Sequence, residues 1–303
     1  MESAHKLALD LPFDALGRDV SRLVLGTMLL SESGADVLDE YVSLGGNAID
    51  TARVYGDGEA ERVLGAWLEQ RPGTRERLVI VSKGAHPRGD RKRVSPEEIE
   101  RDLRTSIELL GGPVDVYLLH RDDPQVPVGT IVESLEALRE AGLLKAYGTS
   151  NWTTRRIDEA NAWAAANGLA GFCMSSQHLS LAVQNEEQWP DTRSANDPDV
   201  YAWHQRTRMP LLAWSVQARG YFFGRSGPEV LRVYDNPLNR ERRRRAEEAG
   251  ERLGRTTAQM ALAWVLHQPF PVYACFGARD AAQVREAFGA LEVDPEALAG
   301  LTA

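Results

Sequence analysis

The sequence predicts one α/β domain across residues 1–303, closed as a parallel (β/α)8 barrel. Three observations carry that expectation. Short apolar runs alternate with stretches of helical spacing, which calls for a parallel sheet with helical crossovers. There are eight such units, the number that closes a barrel. Three of the runs end in a titratable side chain, and in a parallel barrel every strand C-terminus lies on one face, so these groups meet.

The elements follow in order. Residues 6–19 alternate loosely and carry Pro12 and Gly17, which reads as a hairpin or loop at the barrel floor. Leu23–Thr27 is the first strand, and Ala35–Leu44 is a helix stopped by Gly45-Gly46. Ala48-Ile49 leads to Asp50 as the second strand. The helix Glu59–Gln70 follows, with Val63, Leu64, Trp67 and Leu68 on one face. Leu78–Ser82 is the third strand. Ser95-Pro96-Glu97-Glu98 then opens a helix to Leu110, with Ser as the cap and Pro in the first turn. Val114–Leu119, Leu144–Thr149, Gly171–Ser176, Pro210–Trp214 and Pro271–Phe276 are the remaining strands. Thr130–Glu140, Thr154–Asn167, Val200–Thr207 and Asp280–Phe288 are helices between and after them. Arg240–Leu253 and Thr257–His267 put an extra helix between the seventh and eighth strands, and Gln184–Asp197 and Gly220–Asn236 read as long loops.

The bulk properties narrow the function classes. A net charge of −9 argues against nucleic acid as a partner. The Arg240–Arg245 run is interleaved with Glu241, Glu247 and Glu248, so it reads as a solvated helix face. Two cysteines, Cys173 and Cys275, make a disulfide framework improbable and suit a reducing compartment. Met1–Lys6 lacks the apolar core of a signal peptide, and no run approaches the roughly 20 residues of a membrane span. A cytoplasmic protein that meets neither membrane nor nucleic acid is expected. Oligomeric state is not legible.

The strand ends carry the chemistry. Asp50 and, five residues on, Tyr55 leave the second strand; Lys83 ends the third and His120 the fourth. A lysine near a phenol favours the phenolate and lowers its pKa. Asp50 would hold that lysine charged, and His120 would hydrogen-bond a carbonyl oxygen. Together they form a proton donor and an oxyanion clamp. No metal or nucleophile is required, which points to a hydride donor. Asp50 with Lys83 alone could be a structural ion pair, and His120-Arg121-Asp122-Asp123 alone a metal site; no second ligand cluster supports the latter.

Asp50-Thr51-Ala52-x-x-Tyr55-Gly56-x-Gly58, Val81-Ser82-Lys83 and Tyr117-Leu118-Leu119-His120 together resemble the aldo-keto reductase superfamily. The likeness runs from Arg22-Leu23-x-Leu25-Gly26-Thr27 to the last helix. It implies a TIM barrel, a catalytic tetrad of Asp50, Tyr55, Lys83 and His120, Tyr55 as general acid, and hydride from NADPH to an aldehyde or ketone. It also implies cofactor contacts. Gly26 and Thr27 lie at the first strand end. Ser150, Asn151 and Gln177 would hold the carboxamide, and Trp214 would stack on the nicotinamide, where tyrosine is commoner. Ser215 and Gln217 begin the loop over the pyrophosphate. Gly277, Arg279, Gln283 and Glu286 form the adenosine-phosphate end. Ala287 stands where the family often has Asn, and Cys275-Phe276-Gly277 where it has Ile-Pro-Gly, so NADH stays open as a cofactor. The absence of Gly-x-Gly-x-x-Gly after the first strand speaks against a Rossmann dehydrogenase. Met28, Trp152 and Tyr221 are pocket candidates, each with a packing role as the alternative. Small carbonyl or hydroxylated compounds are the expected substrates. A regulatory subunit that binds the nucleotide on this same barrel, with little turnover, is the alternative function.

Overall fold

The computed structural model describes residues 6–31 and 34–302. All of the Met1–Lys6 segment except Lys6 falls outside them. An antiparallel hairpin comes first: β1 (Asp10–Phe13) and β2 (Arg18–Ser21). Eight strands then close a parallel barrel: β3 (Leu23–Gly26), β4 (Ala48–Asp50), β5 (Val79–Gly84), β6 (Val114–Leu119), β7 (Leu144–Ser150), β8 (Ser175–His178), β9 (Leu211–Trp214) and β10 (Val272–Gly277). Each pairs with the next, and β10 returns to β3. The helices are α1 (Ala35–Ser43), α2 (Glu59–Glu69), α3 (Pro96–Leu110), α4 (Val128–Glu140), α5 (Thr154–Ala166), α6 (Pro198–Thr207), α7 (Pro228–Tyr234), α8 (Pro237–Leu253), α9 (Thr257–Leu266) and α10 (Ala281–Phe288).

Two apolar layers hold the barrel. The larger lies between strands and helices and includes Leu25, Ile49, Ile80, Leu119, Leu135 and Leu262. The smaller fills the barrel interior with Val24, Ala48, Val79, Val81, Val116, Leu118, Met174, Leu212 and Tyr273. Phe13 and Val20 of the hairpin belong to this inner layer, so the hairpin plugs the floor. The Phe13 ring meets Tyr273 edge-on at 5.7 Å.

Strand alternation positions the site. Successive residues point to opposite faces, so i, i+2 and i+4 share one. Val79 and Val81 point inward, and Lys83 inherits that direction; Val116 and Leu118 do the same for His120. Ala48 sets Asp50 inward, and Leu212 sets Trp214.

The structure departs from the sequence reading in four places. The sixth strand starts at Ser175 rather than Gly171 and runs on through Gln177 and His178. Asn161 Oδ1 accepts the Phe172 N–H at 2.7 Å, which takes that donor out of the ladder. The segment expected as a loop from Gly220 to Asn236 holds part of a 3-10 turn (Ala218–Phe223) and α7. Three helices, not two, therefore lie between β9 and β10. Ser95 does cap α3, but by backbone position, without a cap bond from its hydroxyl. The arginine run of α8 behaves as a solvated face: Arg244 pairs with Glu241 and Glu248, and Arg245 with Glu241.

Candidate active site

Asp50, Tyr55, Lys83 and His120 converge at the C-terminal mouth of the barrel. Three groups face the Lys83 ammonium: Asp50 Oδ1 at 2.6 Å, the Thr51 carbonyl at 3.0 Å and the Tyr55 hydroxyl at 3.2 Å. A lysine has three donor positions, so its capacity is filled. The loop after β4 brings Tyr55 there. Arg53 N–H donates to the Lys83 carbonyl and Tyr55 N–H to the Ala52 carbonyl. Gly56, Asp57 and Gly58 then take φ of +59°, +54° and +96°. Glycine reaches these angles without the strain of a Cβ, which accounts for the Tyr-Gly-x-Gly spacing. The His120 ring stands edge-on to Tyr55 at 6.0 Å and to His86 at 4.8 Å.

Electrostatics in this pocket oppose one simple expectation. Burial pushes the Tyr55 phenol up to about 12, and the pull of Lys83 in the other direction does not overcome it. The phenol is therefore protonated at neutral pH and suited to donate. Burial works against the Lys83 charge too, yet Asp50 and Tyr55 outweigh it and raise its pKa. Burial, with the cations Lys83 and Arg121 nearby, holds His120 well below the ordinary histidine range. Its imidazole is neutral, and Nδ1 is buried without a partner.

Several of the expected cofactor residues sit at the same strand ends: Gly26, Ser150, Gln177, Trp214 and Gly277. Asn151 Nδ2 donates to Ser150 Oγ at 2.9 Å, and Gln177 Nε2 donates to the Trp152 carbonyl at 3.0 Å. Gln177 Oε1 is left buried with no partner, as is Thr27 Oγ1. An orphaned buried carbonyl oxygen beside Ser150 and Asn151 suits the NH2 of a nicotinamide carboxamide. Asn151 and Ser215 both hold positive φ, +62° and +51°. Backbone strain of this kind gathers at ligand-holding positions. Gln217 is half-buried at the start of the 3-10 turn. Gly277 ends β10. Arg279 is exposed and its backbone N–H donates to Gln283 Oε1; Glu286 Oε1 accepts from Thr256. A Cβ at Gly26 would lie 2.9 Å from Cys275 Sγ, so a larger residue there would force Cys275 to move.

The pocket candidates divide. Met28 is 51% exposed just beyond β3. The Trp152 side chain is wholly buried, edge-on to Phe172 and beneath Arg156, so it is a core anchor and not a pocket wall. Tyr221 is buried against Phe222 and Tyr234, which pins the loop. Trp189, by contrast, is half-buried, 5.6 Å from the Trp214 ring, with the Arg219 guanidinium over its own ring. His86 and Arg121 also join the site; their nearness to Lys83 and His120 in sequence was the available signal. The carboxylates of the Asp122-Asp123 pair turn away, Asp122 toward Arg156 and Asp123 onto the Gln125 N–H.

The Aldo/keto reductase family model matches residues 22–302. The chain belongs to the aldo/keto reductase family. It is 27% identical to a putative voltage-gated potassium channel subunit beta of Schizosaccharomyces pombe, covering 96% of this chain and 91% of the relative. It is 26% identical to the uncharacterized oxidoreductase YrpG of Bacillus subtilis, over 91% of this chain and 89% of that one. The norsolorinic acid reductase stcV of Emericella nidulans is 26% identical, over 92% and 76%. A crystal structure of the thermostable aldo-keto reductase Tm1743 with the inhibitor epalrestat shares the fold, with a TM-score of 0.75, 22% identity, and coverage of 97% and 99%. Family membership thus agrees with the barrel and its hairpin. No helix among the described residues is long and apolar enough to cross a membrane.

Proposed function

We propose that this aldo/keto reductase is an NADPH-dependent reductase of a small aldehyde or ketone, the reaction being reversible. The observation that carries the reading is the Asp50–Lys83–Tyr55 chain of contacts with a neutral His120 beside it. The dinucleotide, when bound, would supply the hydride for the carbonyl carbon and take up the oxidised state. Tyr55 gives its phenolic proton to the carbonyl oxygen, so C=O becomes CH–OH. Negative charge grows on the Tyr55 oxygen as the proton leaves, and the Lys83 ammonium stabilises it. Asp50 keeps that ammonium charged and aimed. His120, uncharged, offers a hydrogen bond to the substrate oxygen without competing as an acid. Gln177, Ser150 and Asn151 would hold the carboxamide, and Trp214 would cover the nicotinamide ring. The test is cofactor oxidation with nitrobenzaldehyde and a wider carbonyl panel. Tyr55→Phe is expected to lose about 10²–10⁴-fold in kcat. Equal rates for Tyr55→Phe and wild type across the panel would remove Tyr55 from the mechanism.

A second reading has one observation in its favour, the 27% identity to a putative potassium channel β subunit. The chain would then bind nucleotide and act by contact with a partner protein. Tight NADPH binding with negligible turnover, together with a specific co-purifying partner, is its signature.

A further inference from the structure

Three arginines are almost completely buried: Arg93, Arg121 and Arg156, at 5, 7 and 8% exposure. Two of them have carboxylates to balance the charge. Arg93 meets Glu98 and Asp102, and Arg156 meets Asp122 and Glu159. Arg121 has no ion-pair partner within 4 Å among the described residues. Its Nε donates to the Pro190 carbonyl at 3.2 Å and its Nη1 to the His120 carbonyl at 2.8 Å. Those neutral acceptors fix the guanidinium but do not neutralise it. Asp191 and Glu187 act on its charge from beyond contact distance, and they also lie 3.9 Å from Lys92 and 4.0 Å from Arg193. Nη2 has no hydrogen-bond partner among the described residues.

A buried charge without a counter-ion costs several kcal/mol, so a fold keeps one where something else supplies the opposite charge. Arg121 is next to His120 in the chain, and its charge acts on His120, His86 and Tyr55. A cation with no carboxylate in contact, bonded to the His120 carbonyl, therefore lies beside the groups that handle the substrate oxygen. We propose that Arg121 receives a carboxylate of the substrate through its free edge, so that the compound reduced is an oxo acid or semialdehyde with its carboxylate a few bonds from the carbonyl. Two of the five guanidinium N–H donors are taken, which leaves one on Nη1 and two on Nη2 to meet a carboxylate. The proposal rests on the carbonyl-reductase reading for its substrate, but not for its test.

Two measurements separate the proposal from that reading. In turnover, carboxybenzaldehyde is compared with nitrobenzaldehyde, which is similar in shape but uncharged. Wild type should favour the anion in kcat/KM by at least about tenfold, the size of one charge-assisted hydrogen bond. Arg121→Gln should abolish that ratio, and Arg121→Lys should restore part of it. A merely structural role would lower both substrates together and leave the ratio unchanged. In binding, benzoate is titrated against its neutral isostere benzamide with NADP+ present, followed by thermal shift. Wild type should bind benzoate about tenfold more tightly and Arg121→Gln should not discriminate. This arm decides the proposal even when no aldehyde turns over, which would count only against the reductase reading. Equal binding of benzoate and benzamide by wild type, or a preference that survives in Arg121→Gln, overturns the assignment.

Discussion

Lys83→Met removes the ammonium 3.2 Å from the Tyr55 oxygen and keeps most of the side-chain length. With an effective dielectric constant of about 20, a full charge pair at that distance interacts by about 5 kcal/mol. With the proton midway, roughly half the charge has developed, so about 2.5 kcal/mol of transition-state stabilisation is lost, or about 10²-fold in kcat. The same change leaves Asp50 buried and unpaired, because its contact at 2.6 Å is gone. That should lower stability by about 3–5 kcal/mol. The double variant Asp50→Asn/Lys83→Met removes the orphaned charge as well, and should recover stability without recovering rate. The assay pairs steady-state NADPH oxidation with urea unfolding followed by circular dichroism. A folded Lys83→Met enzyme with kcat within about twofold of wild type would refute the electrostatic account. A double variant no more stable than the single one would refute the charge-burial account.

The other expectations concern pH and the cofactor. The acid form of Tyr55 is complete below its raised pKa of about 12 and is lost only as pH rises through it. The depressed pKa of His120 keeps it neutral. The rate of reduction should therefore be flat between about pH 7 and 9, and a pKa in that window in kcat would contradict the assignment. Stability should behave differently. His178 is held down at about 3 and His204 at about 4, in both cases first by burial, so the fold keeps them neutral. Below about pH 6.5 the unfolded chain takes up protons that the folded one does not, and each such histidine removes about 1.4 kcal/mol per pH unit. This contribution is complete above the unfolded pKa and is lost as pH falls toward the folded one. Urea midpoints across that range should fall less steeply for His204→Asn than for wild type. Arg279 is exposed and makes no ion pair among the described residues. Arg279→Ala should lose about tenfold of any preference for NADPH over NADH, read as a smaller difference between their thermal shifts.

Much of the barrel and the heart of the site were legible in the residues. An apolar run of alternating direction that ends in Asp50, Lys83 or His120 already says which way that last side chain points, because strand alternation is local. The glycines after Tyr55 likewise announce a backbone that only a tight turn uses. Trp152 and Trp189 mark the limit. Both lie on strand-end loops of similar composition, and only the path of the folded chain puts one in the core and the other beside Trp214. The protonation of Tyr55 was a contest between a nearby cation and burial, and its outcome depends on how much water the assembled pocket excludes. The sixth strand began late because Asn161, eleven residues upstream on a helix, takes the Phe172 N–H. By itself the sequence determined the number of βα units, the inward direction of the strand-end groups and the loop that carries Tyr55, since each depends on residues close along the chain. Only the tertiary structure decided which loop residues border the pocket and which buried charge lacks a partner, since both are set by contacts between segments tens of residues apart.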